Sequence, residues 1–421
     1  MVIGKGSPDK ILNESEIYNI CSEAFESSKL DGKRILAVIP DHTRTAPIDV
    51  LFRNVYKLLI DKVKKLDFII ALGTHPPLSE KAIFNRVGIN EAEYKSKYSK
   101  AQFFNHQWKD KKQLASIGTI SKSEIEYISN GLMSTEVNVT INRIIFDYDV
   151  ILIIGPTFPH EVVGFSGGNK YLFPGIAGQE IIDIFHWLGA LITNPVINGK
   201  KDTPVRRVID KAVSLLDIDR LCLSLVVKGK TLAGLFYGTP EAAFFKAADL
   251  SEKIHIIYKE KPFKKVLSCA PEMYDDIWTA GKCMYKLEPV AADGGELIIY
   301  APHITEVSAA HGKVISSIGY HVRDYFVNQI EKFRDIPGGV MAHSTHVKGI
   351  GKYENGFEQP RVNVVLATGI PQEICKKINL GYIDPDSINL NDWKNREDEG
   401  ILFVPKAGEI LYRLYNKELH E

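Results

Sequence analysis

Short runs of branched apolar residues recur along this chain, each parted from the next by an amphipathic or polar stretch. Three of them, Arg34–Ile39, Asp67–Leu72 and Val150–Ile154, are apolar at nearly every position and so predict strands buried on both faces, as in a parallel sheet. Between them the period changes. Residues Asn13 to Lys29 put Ile17, Ile20, Cys21, Ala24 and Phe25 on one helical face, and Ile48 to Lys65 predicts a second helix. Helices are also predicted over Pro204–Leu216 and Pro240–Leu250, and strands over Leu221–Val227 and Lys253–Tyr258. The polar, basic stretch Asn90–Glu126 reads as a peripheral excursion, and Glu136 to Val150 as a further pair of short strands.

The charged, proline-bearing segment Lys259–Lys265 is the candidate domain boundary. Beyond it the strand–helix rhythm restarts, with strands at Val266–Ala270, Glu296–Tyr300 and Arg361–Thr368 and a helix start near Asp275. The polar stretch Ala342–Lys348 reads as a loop, and residues from Gly400 as one more strand and a short helix that could return to the first domain. The prediction is an α/β protein of two domains, 1–262 and 263–399, with the tail 400–421 shared between them. Each domain is expected to hold a mostly parallel sheet flanked by helices, with the active site in the cleft between them.

Composition narrows the classes of function. A chain of 421 residues exceeds one ordinary core, which supports two domains. Its 52 basic and 52 acidic residues cancel, so no basic field marks it for nucleic acid. The five cysteines contain no CxxC pair, which argues against a disulfide framework or thiolate zinc site and fits a reducing compartment. No apolar leader and no long apolar run is present, so a cytoplasmic protein without membrane contact is expected.

Candidate chemistry gathers where predicted strands end, the place where open α/β sheets collect ligands. The first strand runs into Asp41-His42-Thr43-Arg44, where an aspartate and an arginine could meet a sugar hydroxyl and a phosphate, or simply cap the next helix. The second runs into Gly73-Thr74-His75-Pro76-Pro77, whose prolines stop the strand and leave the imidazole at the sheet edge. The third runs through Gly155-Pro156 to His160. Two histidines placed alike could exchange acid and base roles. After them comes Ser166-Gly167-Gly168-Asn169-Lys170, then Phe173-Pro174-Gly175 and a helical run carrying His186. Glycines there let a backbone approach a phosphate or a flat ring, and a lysine closing such a loop serves as countercharge or amine nucleophile. A surface loop with a solvated lysine and two packing histidines is the plainer alternative. In the second domain Trp278, Thr279 and Lys282 share a helix start just after a strand.

Taken together, these motifs resemble the lactate racemase family of nickel-pincer-nucleotide enzymes. The resemblance runs over nearly the whole chain and rests on Asp41–Arg44, Gly73–His75, His160, Gly164–Lys170, Phe173–Gly175, His186 and Lys282. It implies that Lys170 carries, through a thioamide bond, a pyridinium-3-thioamide-5-thiocarboxylate mononucleotide holding Ni(II), and that His186 ligates the metal. Imidazole suits nickel on general grounds. It further implies that Asp41, Arg44, Ser166, Gly167 and Gly168 line this cofactor. His75 and His160 become the acid/base pair, with Arg44 and Lys282 completing the catalytic set. The implied reaction inverts C2 of a 2-hydroxy acid by reversible hydride transfer, and accessory proteins are implied as builders of the cofactor.

One departure bears on the substrate. Lactate racemases carry a glutamine three residues before the lysine, where this chain has Thr279, preceded by Trp278. The shorter side chain predicts a substrate larger than lactate, such as the sugar acid gluconate, whose extra hydroxyls His303, His343, Ser344, His346 and Lys348 could meet. The alternatives are lactate racemase proper, a zinc hydrolase using His75, His160 and His186, and a nucleotide-binding module without catalysis. Zinc chemistry gives no reason for the Gly-Gly-Asn-Lys loop, and that loop lacks Walker spacing. A nicotinamide-dependent dehydrogenase lacks its Gly-x-Gly-x-x-Gly turn here.

Overall fold

A computed structural model describes residues 1–415. The chain divides into two compact units. The first comprises Met1–Phe158, Phe165–Ile182 and Lys201–Ile254; the second comprises Pro159–Gly164, Asp183–Lys200 and the chain from His255 onward.

The first unit is built on seven strands: β1 (Ile3–Gly6), β2 (Arg34–Pro40), β3 (Lys65–Ala71), β4 (Phe103–Asn105), β5 (Val150–Pro156), β6 (Asp219–Lys228) and β7 (Thr231–Gly238). Their order is β1-β7-β6-β5-β2-β3-β4. Pairings from β6 to β4 are parallel, while β7 and β1 add an antiparallel edge. Strands β2, β3 and β5 are buried along almost every residue, as their unbroken apolar runs require. Helix α1 (Glu14–Glu26) starts at an Asn13/Glu16 capping box and buries the predicted face of Ile17, Ile20, Cys21, Ala24 and Phe25. Helix α2 (Ile48–Leu59) stops short of Lys65, because its apolar stripe ends at Leu59 and the basic residues beyond it turn into β3.

Three expectations for this unit need correction. The excursion at residues 90–126 contributes β4 to the main sheet and Leu114–Ile120 to an antiparallel ladder. The partner of that ladder is Val137–Asn142, so the pair of strands expected between Glu136 and Val150 is one strand with an upstream mate. Strand β7 went unread because Gly234 and Gly238 interrupt its apolar pattern.

Helices α3 (Gln179–Ile192), α4 (Pro204–Val213) and α5 (Pro240–His255) follow in the chain. The second unit holds five parallel strands, β8 (Phe263–Cys269), β9 (Ala291–Ala301), β10 (Asn363–Thr368), β11 (Gly381–Tyr382) and β12 (Ile401–Val404), in the order β11-β10-β9-β8-β12. The segment from Gly400 places β12 beside β8, and Leu411–Leu414 pairs with Ile256–Lys259 where a short helix was expected. The rest of that tail, 416–421, lies outside the described residues. The supposed loop at Ala342–Lys348 is the body of α6 (Gly338–Lys348), with residues 340–348 all buried. Its polar side chains hid a helix, since burial there is satisfied by tertiary hydrogen bonds: Ser344 Oγ donates to Gly319 O and Lys348 Nζ to Asn379 O. Among the described residues no helix is long and apolar enough to cross a membrane.

His106, within the supposed excursion, is fully buried in the first unit. Its Nε2 donates to Ala177 O at 2.9 Å and its Nδ1 accepts from Asn142 Nδ2 at 3.2 Å, which is the neutral imidazole. Burial pushes its pKa down to about 4. The unfolded chain, near 6.5, therefore binds more protons below neutrality, so this residue's contribution is full above pH 6.5 and declines toward pH 4. Between pH 7 and pH 5 the loss is about 2 kcal/mol. Urea unfolding of wild type and His106→Gln at both pH values should show a pH penalty smaller in the variant by that amount; parallel pH profiles would contradict it.

Candidate functional site

In the first unit, loops leaving the C-terminal ends of β2, β3 and β5 carry the candidate site residues. Asp41, 3% exposed, follows β2, and His75 follows β3. The His75 Nδ1 sits 2.5 Å from Asp41 Oδ2, while Thr43 donates both its N–H (3.0 Å) and its hydroxyl (2.7 Å) to Asp41 Oδ1. Burial by itself would raise this carboxyl. The charge and hydrogen bond of His75, helped by Arg44 and Thr43, outweigh it and hold the group far below the usual carboxylate range. An ionised Asp41 fixes the His75 proton on Nδ1 and leaves Nε2 as the lone-pair nitrogen, the form a general base needs. Sequence reasoning set Asp41 along a nucleotide; in the structure both its oxygens are engaged by His75 and Thr43.

Arg44 lies on the same loop, its NH1 3.3 Å from Thr43 Oγ1. The loop itself is held by Arg86, whose guanidinium donates to the carbonyls of Pro40 (3.1 Å), Ala46 (3.3 Å) and Arg44 (3.0 Å). The Gly73 N–H donates to Gly175 O at 2.9 Å, so the His75 loop meets the turn that follows Lys170. Burial raises the Tyr171 phenol, and the nearby charges of Arg44 and Arg86 counter it, which places Tyr171 beside the Asp41 loop.

Residues Gly168–Tyr171 form a single 3-10 turn bearing Lys170. Gly167 (φ 100°) and Gly168 (φ 57°) take left-handed conformations, and a Cβ on Gly167 would lie 2.3 Å from Thr157 Oγ1. Ser166, expected at the cofactor, is buried with its hydroxyl accepting from Phe158 N–H and donating to Pro156 O. The first unit thus brings Asp41, Arg44, His75 and the Lys170 turn to one edge of its sheet.

The second unit carries His160, His186, Trp278, Thr279 and Lys282. His160 Nδ1 accepts from Val162 N–H at 3.1 Å and has Glu161 Oε2 at 3.3 Å. The ring of Trp278 lies between the imidazoles of His311 and His343, with centroids 4.3 and 4.2 Å away. His343 Nε2 is 3.2 Å from the Tyr320 hydroxyl. Burial, reinforced by His346, His311 and His186, holds His343 well below the usual imidazole range. Burial takes His346 down to about 4, and its Nε2 is buried without a hydrogen-bond partner. Asp276 caps the short helix of Ile277–Ala280 through the Thr279 N–H, and Lys282 Nζ stands 4.6 Å from the Tyr274 ring centroid. Sequence reasoning missed Glu161, His311 and Tyr171. None stands in a motif, and only packing shows what each touches.

Among the described residues, no three His, Cys, Asp or Glu side chains are grouped to hold a metal ion. For a lysine-tethered nucleotide the residues fit: glycines at 167 and 168 allow the left-handed backbone that forms the Lys170 turn, at the C-terminal edge of the sheet that also bears His75 and Arg44.

Residues 6–196 match the lactate racemase N-terminal domain. A lactate racemase of Thermoanaerobacterium thermosaccharolyticum is 25% identical over 290 residues, 66% of this chain and 61% of that protein. One from Lactiplantibacillus plantarum is 22% identical over 321 residues, 70% of this chain and 67% of that protein. Among solved structures, a protein from Thermotoga maritima superposes with a TM-score of 0.88 at 32% identity, over 98% of this chain and 100% of that one. The lactate racemase apoprotein of T. thermosaccharolyticum shares the fold, with a TM-score of 0.70 at 19% identity over 94% of this chain and 92% of that one. The fold is that of a two-unit α/β protein with strand-end loops bearing histidine and lysine. The chain is similar to the lactate racemase family over its N-terminal half, and to two curated lactate racemases along part of its length.

The Asp41–His75 geometry is open to direct measurement. Imidazole ¹⁵N–¹H correlation spectra near neutral pH should show the His75 proton on Nδ1, and Asp41→Asn should remove that preference. A proton on Nε2 in the wild type would contradict the assignment.

Proposed function

We propose that this chain is a racemase or epimerase that inverts C2 of a 2-hydroxy acid. The observation that carries the reading is the Asp41–His75 pair beside the Gly-Gly-Asn-Lys turn, in a chain similar to the lactate racemase family. Lys170 would hold a nickel-pincer nucleotide through a thioamide bond, and His186 would ligate its nickel. When bound, this group supplies a reversible hydride acceptor for the substrate C2. His75 Nε2, bare because Asp41 keeps the proton on Nδ1, takes the proton of the 2-hydroxyl. His160 serves the opposite face: with Nδ1 accepting the Val162 N–H, its proton stands on Nε2, the form that returns a proton to the 2-oxygen. Lys282 and Arg44 supply positive charge for the substrate carboxylate.

The same reading extends to the substrate and the cell. Thr279 in place of a glutamine favours a substrate larger than lactate, with gluconate as the example. Of the polar groups set aside for extra hydroxyls, His303, Ser344 and Lys348 are tied to backbone carbonyls, which leaves His343 and His346 as the side chains that could serve. Loading would need the proteins that build the cofactor. All five cysteines are free and buried, which supports a cytoplasmic setting.

Intact mass of protein made in a cofactor-producing host tests the attachment: one adduct in the wild type, none in Lys170→Ala. An unmodified wild type would overturn the reading. In the loaded enzyme, His75→Gln and His160→Gln should each lower kcat by about 10²–10⁴-fold, the range for a lost acid/base group. Turnover of lactate, malate, phenyllactate and gluconate separates the substrates; a clear preference for lactate would refute the inference from Thr279.

A further inference from the structure

Behind the lysine turn lies a second layer of side chains that neither the motif nor the proposed reaction uses. Arg206, on the first turn of α4, is 4% exposed, although the helix containing it reads from sequence as amphipathic with a charged outer face. Its guanidinium lies over the ring of Phe244 on α5, 3.8 Å from the centroid. It donates through NH2 to Phe165 O at 2.5 Å and through NH1 to Gly167 O at 3.2 Å. Gly167 O also accepts the backbone N–H of Lys170, at 3.3 Å. One carbonyl therefore joins the buried guanidinium to the backbone of the lysine.

The same two helices hold the next residue of the loop. Asn169, 2% exposed, donates its Nδ2 to Asp210 Oδ1 (3.0 Å) and to Glu241 Oε1 (2.7 Å). Arg206 and Asp210 are one helical turn apart on α4, and Glu241 and Phe244 are three apart on α5. Each helix thus presents one group to the carbonyl side of the loop and one carboxylate to Asn169. A buried guanidinium is costly to desolvate, and its Nε here has no hydrogen-bond partner. An apolar side chain could fill the space beside Phe244, but it could not fix two carbonyls of a loop that glycines leave loose.

We propose that Arg206 is a positioning residue that, with Asn169 as a second anchor, sets the carbonyls of Phe165 and Gly167 so that Lys170 is presented for cofactor attachment and kept in place afterwards. This rests on the proposed role of Lys170 as the attachment site. Arg206 touches neither substrate nor cofactor; it acts through the loop.

The test uses full-length protein coexpressed with the cofactor-building proteins and reads two quantities on the folded, purified chain: adduct stoichiometry on Lys170 by intact mass, and melting temperature. Arg206→Met keeps length and apolar contact with Phe244 but removes both donors; its loading should fall at least tenfold. Arg206→Lys keeps the charge but cannot span two carbonyls, and should restore loading part of the way. Wild-type loading in folded Arg206→Met would overturn the proposal, even with a lowered melting temperature, since that is what a merely structural role predicts. If Arg206→Met does not fold, Asn169→Ala takes its place, with lowered loading expected and undiminished loading overturning the idea. A wild-type chain without adduct would sink the reading of Lys170 and this proposal together, whereas loaded wild type with equally loaded Arg206→Met sinks this proposal alone.

Discussion

Loops that leave a parallel sheet have no ladder to receive their carbonyl oxygens, and this fold meets that constraint with half-buried and buried guanidinium groups. Arg86 gathers the carbonyls of Pro40, Arg44 and Ala46, and Arg206 those of Phe165 and Gly167. In both cases a planar fork of donors spans residues too irregular for regular pairing. A hydrogen bond from a charged donor is worth about 1.5–3 kcal/mol, so several together hold a loop that would otherwise sample many conformations. Asp41, Arg44 and Lys170 are mounted on these two loops, and His75 on the loop that follows β3.

Charge follows the same economy of position. Asp41 is buried, yet it stays ionised because His75, Arg44 and Thr43 surround it. In the second unit the opposite holds: His343 and His346 are buried among other imidazoles, and burial keeps both neutral at physiological pH. Neutral rings can stack on Trp278 and accept or donate single hydrogen bonds without importing charge. The first unit thus buries one ionised carboxylate beside an imidazole, and the second a set of uncharged donors and acceptors.

The patterns that could be read from residues alone were the local ones. Unbroken apolar runs announced β2, β3 and β5, and the 3.6-residue spacing announced α1, because both report burial directly. Strand β7 and helix α6 were unread for a shared reason: glycines in one and polar residues in the other break the apolar signal, while partners distant in sequence satisfy them. Ser344 and Lys348 look like loop residues until the Gly319 and Asn379 carbonyls are in view.

By itself the sequence determined that strand ends carry His75, Asp41 and a lysine closing a glycine loop, since turn residues and motif spacing are properties of neighbouring positions. Only the tertiary structure decided that Asp41 belongs to His75 and that Arg206 belongs to the lysine turn. Those pairings join residues 34 and 39 or more positions apart in the chain. Nothing local records them; they exist because parallel strands deliver their C-terminal ends to one edge, and because two helices close behind the loop.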